Sequence, residues 1–185
     1  MVIIDQIDAC NDGKDRPREL TKIDRVIIHK IGPSLGSTGA EIAKAFRDTS
    51  TPYSAGSFTG AEMPYTFVIR QNNGNIIDQC LKLTDVGPHA KRWNTSGIGV
   101  ALIGDFSLKG EPPTNDQWCS VIELCTVLYG YGLSIHGHTE LPGSSSDPAK
   151  QCPGPLFDLD MLRSEVHFRA EEMKIQNLLN VGMVI

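Results

Sequence analysis

No apolar run in this 185-residue chain approaches the roughly 20 residues that a helix needs to cross a bilayer. The longest, "RVIIHKI" and "GIGVALIG", are short enough to be single strands. Positive charge is also scarce: 17 Lys and Arg stand against 22 Asp and Glu, for a net charge of -5 and a pI near 5.5. Such a chain has no overall field to attract a polyanion or an acidic membrane surface, so neither nucleic-acid binding nor membrane insertion is expected. Cysteine is sparse, with five residues at irregular spacings, an odd number and unlike a secreted disulfide framework. Reduced thiols are expected. The opening "MVIIDQIDACNDGKD" has no basic segment and no sustained apolar stretch, so it does not read as a secretory signal, and synthesis in the cytoplasm is expected. No Gly/Ser or Pro tract divides the sequence and no repeat recurs in it. The length suits one compact domain over 1–185.

What the sequence does contain is an alternation of strand-like and helix-like segments. "RVIIH", Arg25 to His29, is a β-branched run that ends in a histidine just before the loop residues Gly32, Pro33 and Gly36. "STGAEIAKAFRD" predicts a helix capped by Ser37 or Thr38, with Ile42, Ala45 and Phe46 on its apolar face. "YTFVIRQNNGNIID" alternates Tyr65, Phe67 and Ile69 against Thr66, Val68 and Arg70, then turns at Asn73-Gly74, the pattern of a hairpin. "IGVALIGDF" reads as a central strand. "PTNDQWCSVIELCTVLYGYG" opens with a Thr114/Gln117 capping box and carries Trp118, Val121, Ile122, Cys125, Leu128 and Tyr129 at helical spacing. "LSIH" supplies a further strand, and a last helix is predicted from Asp158 with Leu159, Leu162, Val166 and Met173 facing inward. The sum is an α/β fold, a central mixed β-sheet flanked by helices.

Chemistry gathers at the strand ends. His29 and His138 each follow an apolar run and stand beside loop segments, where function concentrates. His136 shares strand parity with His138, so periodicity alone leaves the choice between them open. Cys152 sits in "DPAKQCPGP", where Pro153 biases it toward an extended backbone; residues two apart then share a face, which sets Lys150 beside it. A neighbouring ammonium favours a thiolate, the form required of either a metal ligand or a nucleophile. Two histidines and one cysteine would complete a three-ligand zinc site with its fourth position open. The alternative use of Cys152 is as the nucleophile of a thiol hydrolase, although such nucleophiles usually sit at a helix N-terminus, which "CPGP" does not resemble.

Five motifs, "VIIHKI", "PYTFVIRQNNGNIID", "VGPHAKRWNTSGIGVALIGDF", "GHTELPG" and "DPAKQCPGPLFDL", occur in one order between Arg25 and Leu159. Together they resemble the zinc-dependent N-acetylmuramoyl-L-alanine amidases shared by phage lysozyme-like endolysins and peptidoglycan recognition proteins. The resemblance implies Zn2+ bound by His29, His138 and Cys152, which chooses His138 over His136. It also implies catalytic roles for Tyr65 and Lys150, and contacts to glycan or peptide from His89 and Asn94. Thr66 replaces the histidine common after the tyrosine. The loop "TELPGSSSDPAKQ" is longer than in the phage enzymes. Ala101 occupies the position where some relatives carry a glutamate. The implied reaction is hydrolysis of the amide between N-acetylmuramic acid and L-alanine, with peptidoglycan as the partner of a monomeric enzyme that acts on the cell wall after release or delivery. The recognition-protein branch also offers a second role, peptidoglycan binding without catalysis.

Overall fold

The computed structural model describes residues 1–11, 16–48, 63–143 and 151–180. Two β-branched runs form the middle of the sheet. Strands β2 (Arg25–Ile31) and β5 (Gly97–Ile103) pair in parallel from Arg25↔Gly97 to Ile31↔Ile103. Their nearly unbroken apolar sequence is what a parallel strand covered on both faces requires. Around them lie β3 (Phe67–Ile69), β4 (Ile76–Gln79), β6 (Ser134–Gly137) and β1 (Val2–Asp5), in the order β1-β4-β3-β5-β2-β6. Among these six strands only β3 and β4 pair antiparallel, as the hairpin pattern predicts.

Four α-helices complete the described residues: a single turn α1 (Ile7–Cys10), α2 (Gly39–Asp48), α3 (Asn115–Gly130) and α4 (Leu159–Asn180). The predicted capping box holds the start of α3. Gln117 N donates to Thr114 Oγ1 at 3.2 Å, Thr114 N donates to Gln117 Oε1 at 3.1 Å, and Gln117 Nε2 reaches Ile103 O at 2.9 Å, tying the helix to β5. Asp158 caps α4 through Met161 N at 2.8 Å. Met173, expected on the inner face of α4, is instead exposed, because the buried stripe of Leu162, Val166 and Ala170 is not continued by any residue of 171–177.

Strand alternation sorts side chains into two layers. Val26 and Ile28 of β2, Ile98, Val100 and Leu102 of β5 and Phe67 and Ile69 of β3 pack against α3 and α4. On the other face, Ile31, Val68, Ala101 and Ile103 meet Ile42, Ala43 and Phe46 of α2. His29 belongs to this second face and is 2% exposed. No described helix is long and apolar enough to cross a membrane.

Two local expectations need correction. The first strand does not stop at His29 but runs on to Ile31, because Lys30 and Ile31 continue the ladder opposite Leu102 and Ile103. Tyr65 does not continue the parity of Phe67 and Ile69. The chain bends at Thr66, before β3 begins, and Tyr65 joins the cluster of Val68 and Ala101 on the opposite face. The turn at Asn73-Gly74 is as expected, with Asn73 at φ 91° and β4 returning from Ile76. The edge strand β1, which pairs parallel with β4, had no counterpart in the sequence reading.

Candidate metal centre

The sheet brings three distant residues to one point. His29 comes from β2, and His138 opens the 3-10 turn His138–Glu140 directly after β6. These strands are neighbours, with Ile28 opposite Gly137, so the two imidazoles meet with ring centroids 4.6 Å apart. Cys152 arrives from the segment before α4. Thr139 grips that segment, its N and Oγ1 each donating to Cys152 O at 3.1 Å. Gly154 then adopts φ 128°, where a side chain would be strained and its Cβ would meet Phe106 O at 2.4 Å. The Cys152–Pro153 peptide is cis.

One donor atom each from His29, His138 and Cys152 lies within 4.8 Å of the others, the one His/Cys/Asp/Glu group of this kind among the described residues. His29 Nδ1 and Cys152 Sγ are 3.7 Å apart. Two ligands on a tetrahedral zinc, with bonds of about 2.0 Å to nitrogen and about 2.3 Å to sulfur, stand about 3.5 Å apart, so the donor set fits that ion. His136 stays outside, its Nε2 3.0 Å from Ser134 Oγ. It shares the strand parity of His138, and only the turn after Gly137 separates their fates.

Burial governs the ionisation of these groups. It holds the imidazole of His29 well below its ordinary pKa, with His89 and His138 adding to the effect. His138 is lowered by burial and then by Lys91. His89 falls to about 3 through burial, opposed by its Gly97 hydrogen bond and reinforced by Arg18 and His138. All three rings are therefore neutral near pH 7, the form that binds metal. The Cys152 thiol is pushed up to about 11 by burial, although Lys30 opposes this through its backbone N–H, 3.4 Å from Sγ, and its ammonium. The lysine expected to favour a thiolate, Lys150, lies outside the described residues. In the described surroundings desolvation outweighs the cation, and a thiol held protonated is a poor nucleophile, whereas a coordinated metal would remove its proton.

The remaining expected residues have distinct placements. Tyr65 is 4% exposed and its ring lies 5.1 Å from that of His29. Lys150 lies outside the described residues. His89 and Asn94, expected to contact glycan or peptide, are 6% and 3% exposed and turn inward. Asn94 Oδ1 accepts from Ala90 N at 2.6 Å, closing the loop, and His89 Nδ1 lies 3.0 Å from His29 Nε2. Sequence reading also missed Arg18, Lys30 and Thr139. Arg18 in "RPREL" carries no motif, and Lys30 and Thr139 have no signal apart from the histidines they accompany.

The N-acetylmuramoyl-L-alanine amidase family of type 2 matches residues 19–155, most of the chain. The chain belongs to that family. Membership supports a peptidoglycan amidase or a recognition-protein-like function. No curated protein matches the sequence. Among solved structures, the chain is similar to the endolysin amidase LysCS of Clostridium intestinale URNW, with TM-score 0.67 and 19% identity over 90% of this chain and 95% of that one. It is similar also to the Ph2119 endolysin from the Thermus scotoductus MAT2119 bacteriophage, with TM-score 0.62 and 19% identity over 89% and 99% of the two chains. A variant of Drosophila PGRP-LB in complex with tracheal cytotoxin matches with TM-score 0.55 and 18% identity over 84% and 89%. These likenesses establish the fold.

Proposed function

We propose that this protein is a zinc-dependent N-acetylmuramoyl-L-alanine amidase, a single amidase domain that cleaves the amide between N-acetylmuramic acid and the L-alanine of the peptidoglycan stem peptide. The observation that carries the reading is the convergence of His29, His138 and Cys152 donor atoms within 4.8 Å. Those three side chains would hold the ion. Zinc, when bound, supplies a Lewis acid for the scissile carbonyl and an activated water. Tyr65, packed against His29, donates a hydrogen bond where negative charge develops on that carbonyl, and Lys150 contributes a positive charge to the same end. Peptidoglycan is the partner, met by a monomer at the cell wall, in keeping with family membership and with a structural neighbour that binds tracheal cytotoxin, a peptidoglycan fragment.

The test is incubation with purified sacculi, followed by mass spectrometry of the new ends. Free L-alanine amino termini and unsubstituted lactyl carboxylates, lost on chelation and restored by zinc, are the expected products. Binding to sacculi with no new ends would make the protein a recognition module. New ends that persist in metal-free protein would refute the zinc mechanism.

A further inference from the structure

His89 fills a slot that the sequence builds on β5. Gly97 and Gly99 lie on one face of that strand, and a Cβ at Gly99 would come within 2.9 Å of His89 Cγ, while one at Gly97 would come within 3.2 Å of His89 Cε1. The missing side chains are the space the imidazole occupies. The loop that delivers it is closed by Asn94, and Arg18 fastens the far end: its Nη1 donates to Gly97 O at 2.6 Å and Asn94 O at 3.1 Å, while its Nε donates to Leu83 O at 2.8 Å.

The hydrogen-bond directions in this stack follow from one atom. Gly97 O is a carbonyl oxygen and can only accept. It lies 3.3 Å from His89 Nε2, so that nitrogen carries the proton. In a neutral imidazole the other nitrogen then has a free lone pair, and His89 Nδ1, 3.0 Å from His29 Nε2, must accept from it. His29 therefore carries its proton on Nε2. Its Nδ1 is left bare, and that is the atom facing Cys152 Sγ at 3.7 Å.

We propose that His89 is a positioning residue, not a substrate contact: by relaying the direction set by Gly97 O, it fixes the Nε2–H tautomer and ring orientation of His29 so that Nδ1 is presented to the metal. The proposal rests on the zinc reading above. It deepens that reading by assigning the residue that orients one ligand, and such outer partners typically change metal affinity by roughly 10- to 100-fold. At 6% exposure, His89 has little surface to offer a glycan or peptide.

Two measurements test it. A long-range 1H–15N spectrum of the metal-free wild type near pH 7 should show both His29 and His89 with the proton on Nε2; a proton on Nδ1 of His29 would overturn the relay. This readout needs no variant and no metal, so it stands even if the protein takes up no zinc, in which case the zinc reading fails and the tautomer result still decides. In the second measurement, zinc affinity is read by chelator competition. His89→Leu should bind zinc about 10- to 100-fold more weakly. His89→Asn, whose Oδ1 can accept from His29 Nε2, should recover part of the loss. Wild-type affinity in His89→Leu, or an asparagine variant no better than leucine, would reject the assignment.

Discussion

Cys152 Sγ stands 3.7 Å from His29 Nδ1, although 123 residues separate the two in sequence. Neither residue alone has a chemical signature. Their pairing beside His138 follows from the order β5-β2-β6, from the Thr139 grip on Cys152 O and from the turn at Gly154. One zinc per chain is therefore expected in protein purified without chelator, measured by elemental analysis against protein concentration. A fully active preparation containing no metal would remove the basis of the mechanism.

Tyr65→Phe should keep the fold and the zinc but lower turnover by about 100-fold, the scale of losing one transition-state donor. The ring packs against His29 and its apolar body fits the cluster around Val68 and Ala101, so phenylalanine preserves the packing and removes only the hydroxyl. Initial rates on sacculi at matched zinc content make the check. Unchanged turnover would leave Tyr65 a core residue.

Asp78 tests the scaffold separately from the chemistry. Its carboxylate is fully buried, takes two hydrogen bonds from Arg70 at 2.7 and 3.0 Å, and accepts Gly39 N at the start of α2 at 2.8 Å. Asp78→Ala strands the Arg70 guanidinium and an orphan helix donor, and should cost about 3 kcal/mol of stability. A urea midpoint lowered with an unchanged slope would show this. A shift worth less than about 0.5 kcal/mol, the size of an ordinary surface change, would contradict the role given to this ion pair.

Much of this organisation was legible in the sequence, because the elements involved are governed locally. The Thr114/Gln117 box, the β-branched runs of β2 and β5 and the amphipathic stretches of α3 and α4 carry their own signals, and ordered motifs marked His29, His138 and Cys152. What could not be read is whatever depends on a partner far along the chain. Tyr65 changes face because of a bend at Thr66, whose N is held by Gly99 O at 2.9 Å. His89 turns inward because Gly97 and Gly99 leave a hole. Arg18 lies in a polar segment and becomes buried only when it meets the carbonyls of Asn94 and Gly97. β1 gains its place by pairing with β4, about 70 residues away in a register running from Val2↔Ile76 to Asp5↔Gln79.

The role of Cys152 decides between two chemistries, and three variants with two reagents separate them. If Cys152 is a ligand, Cys152→Ala should lose zinc affinity and activity together. Cys152→Asp should keep partial, metal-dependent activity, since a carboxylate oxygen binds zinc but cannot act as a thiolate. Lys150→Ala should retain zinc and lose much of its turnover. If Cys152 were a nucleophile, chelation would leave the wild type active, iodoacetamide would inactivate the metal-free protein by labelling Cys152, and Cys152→Ala would still bind zinc normally. The site geometry opposes that second pattern. Burial pushes the metal-free thiol up to about 11, so little thiolate is present near neutral pH to attack a carbonyl or an alkylating reagent. The metal-free wild type should accordingly be inactive and slow to react with iodoacetamide, while zinc, by drawing off the thiol proton, should restore activity and protect Sγ from alkylation. Rapid alkylation of Cys152 without metal, accompanied by loss of an activity that chelation had spared, would reverse the assignment.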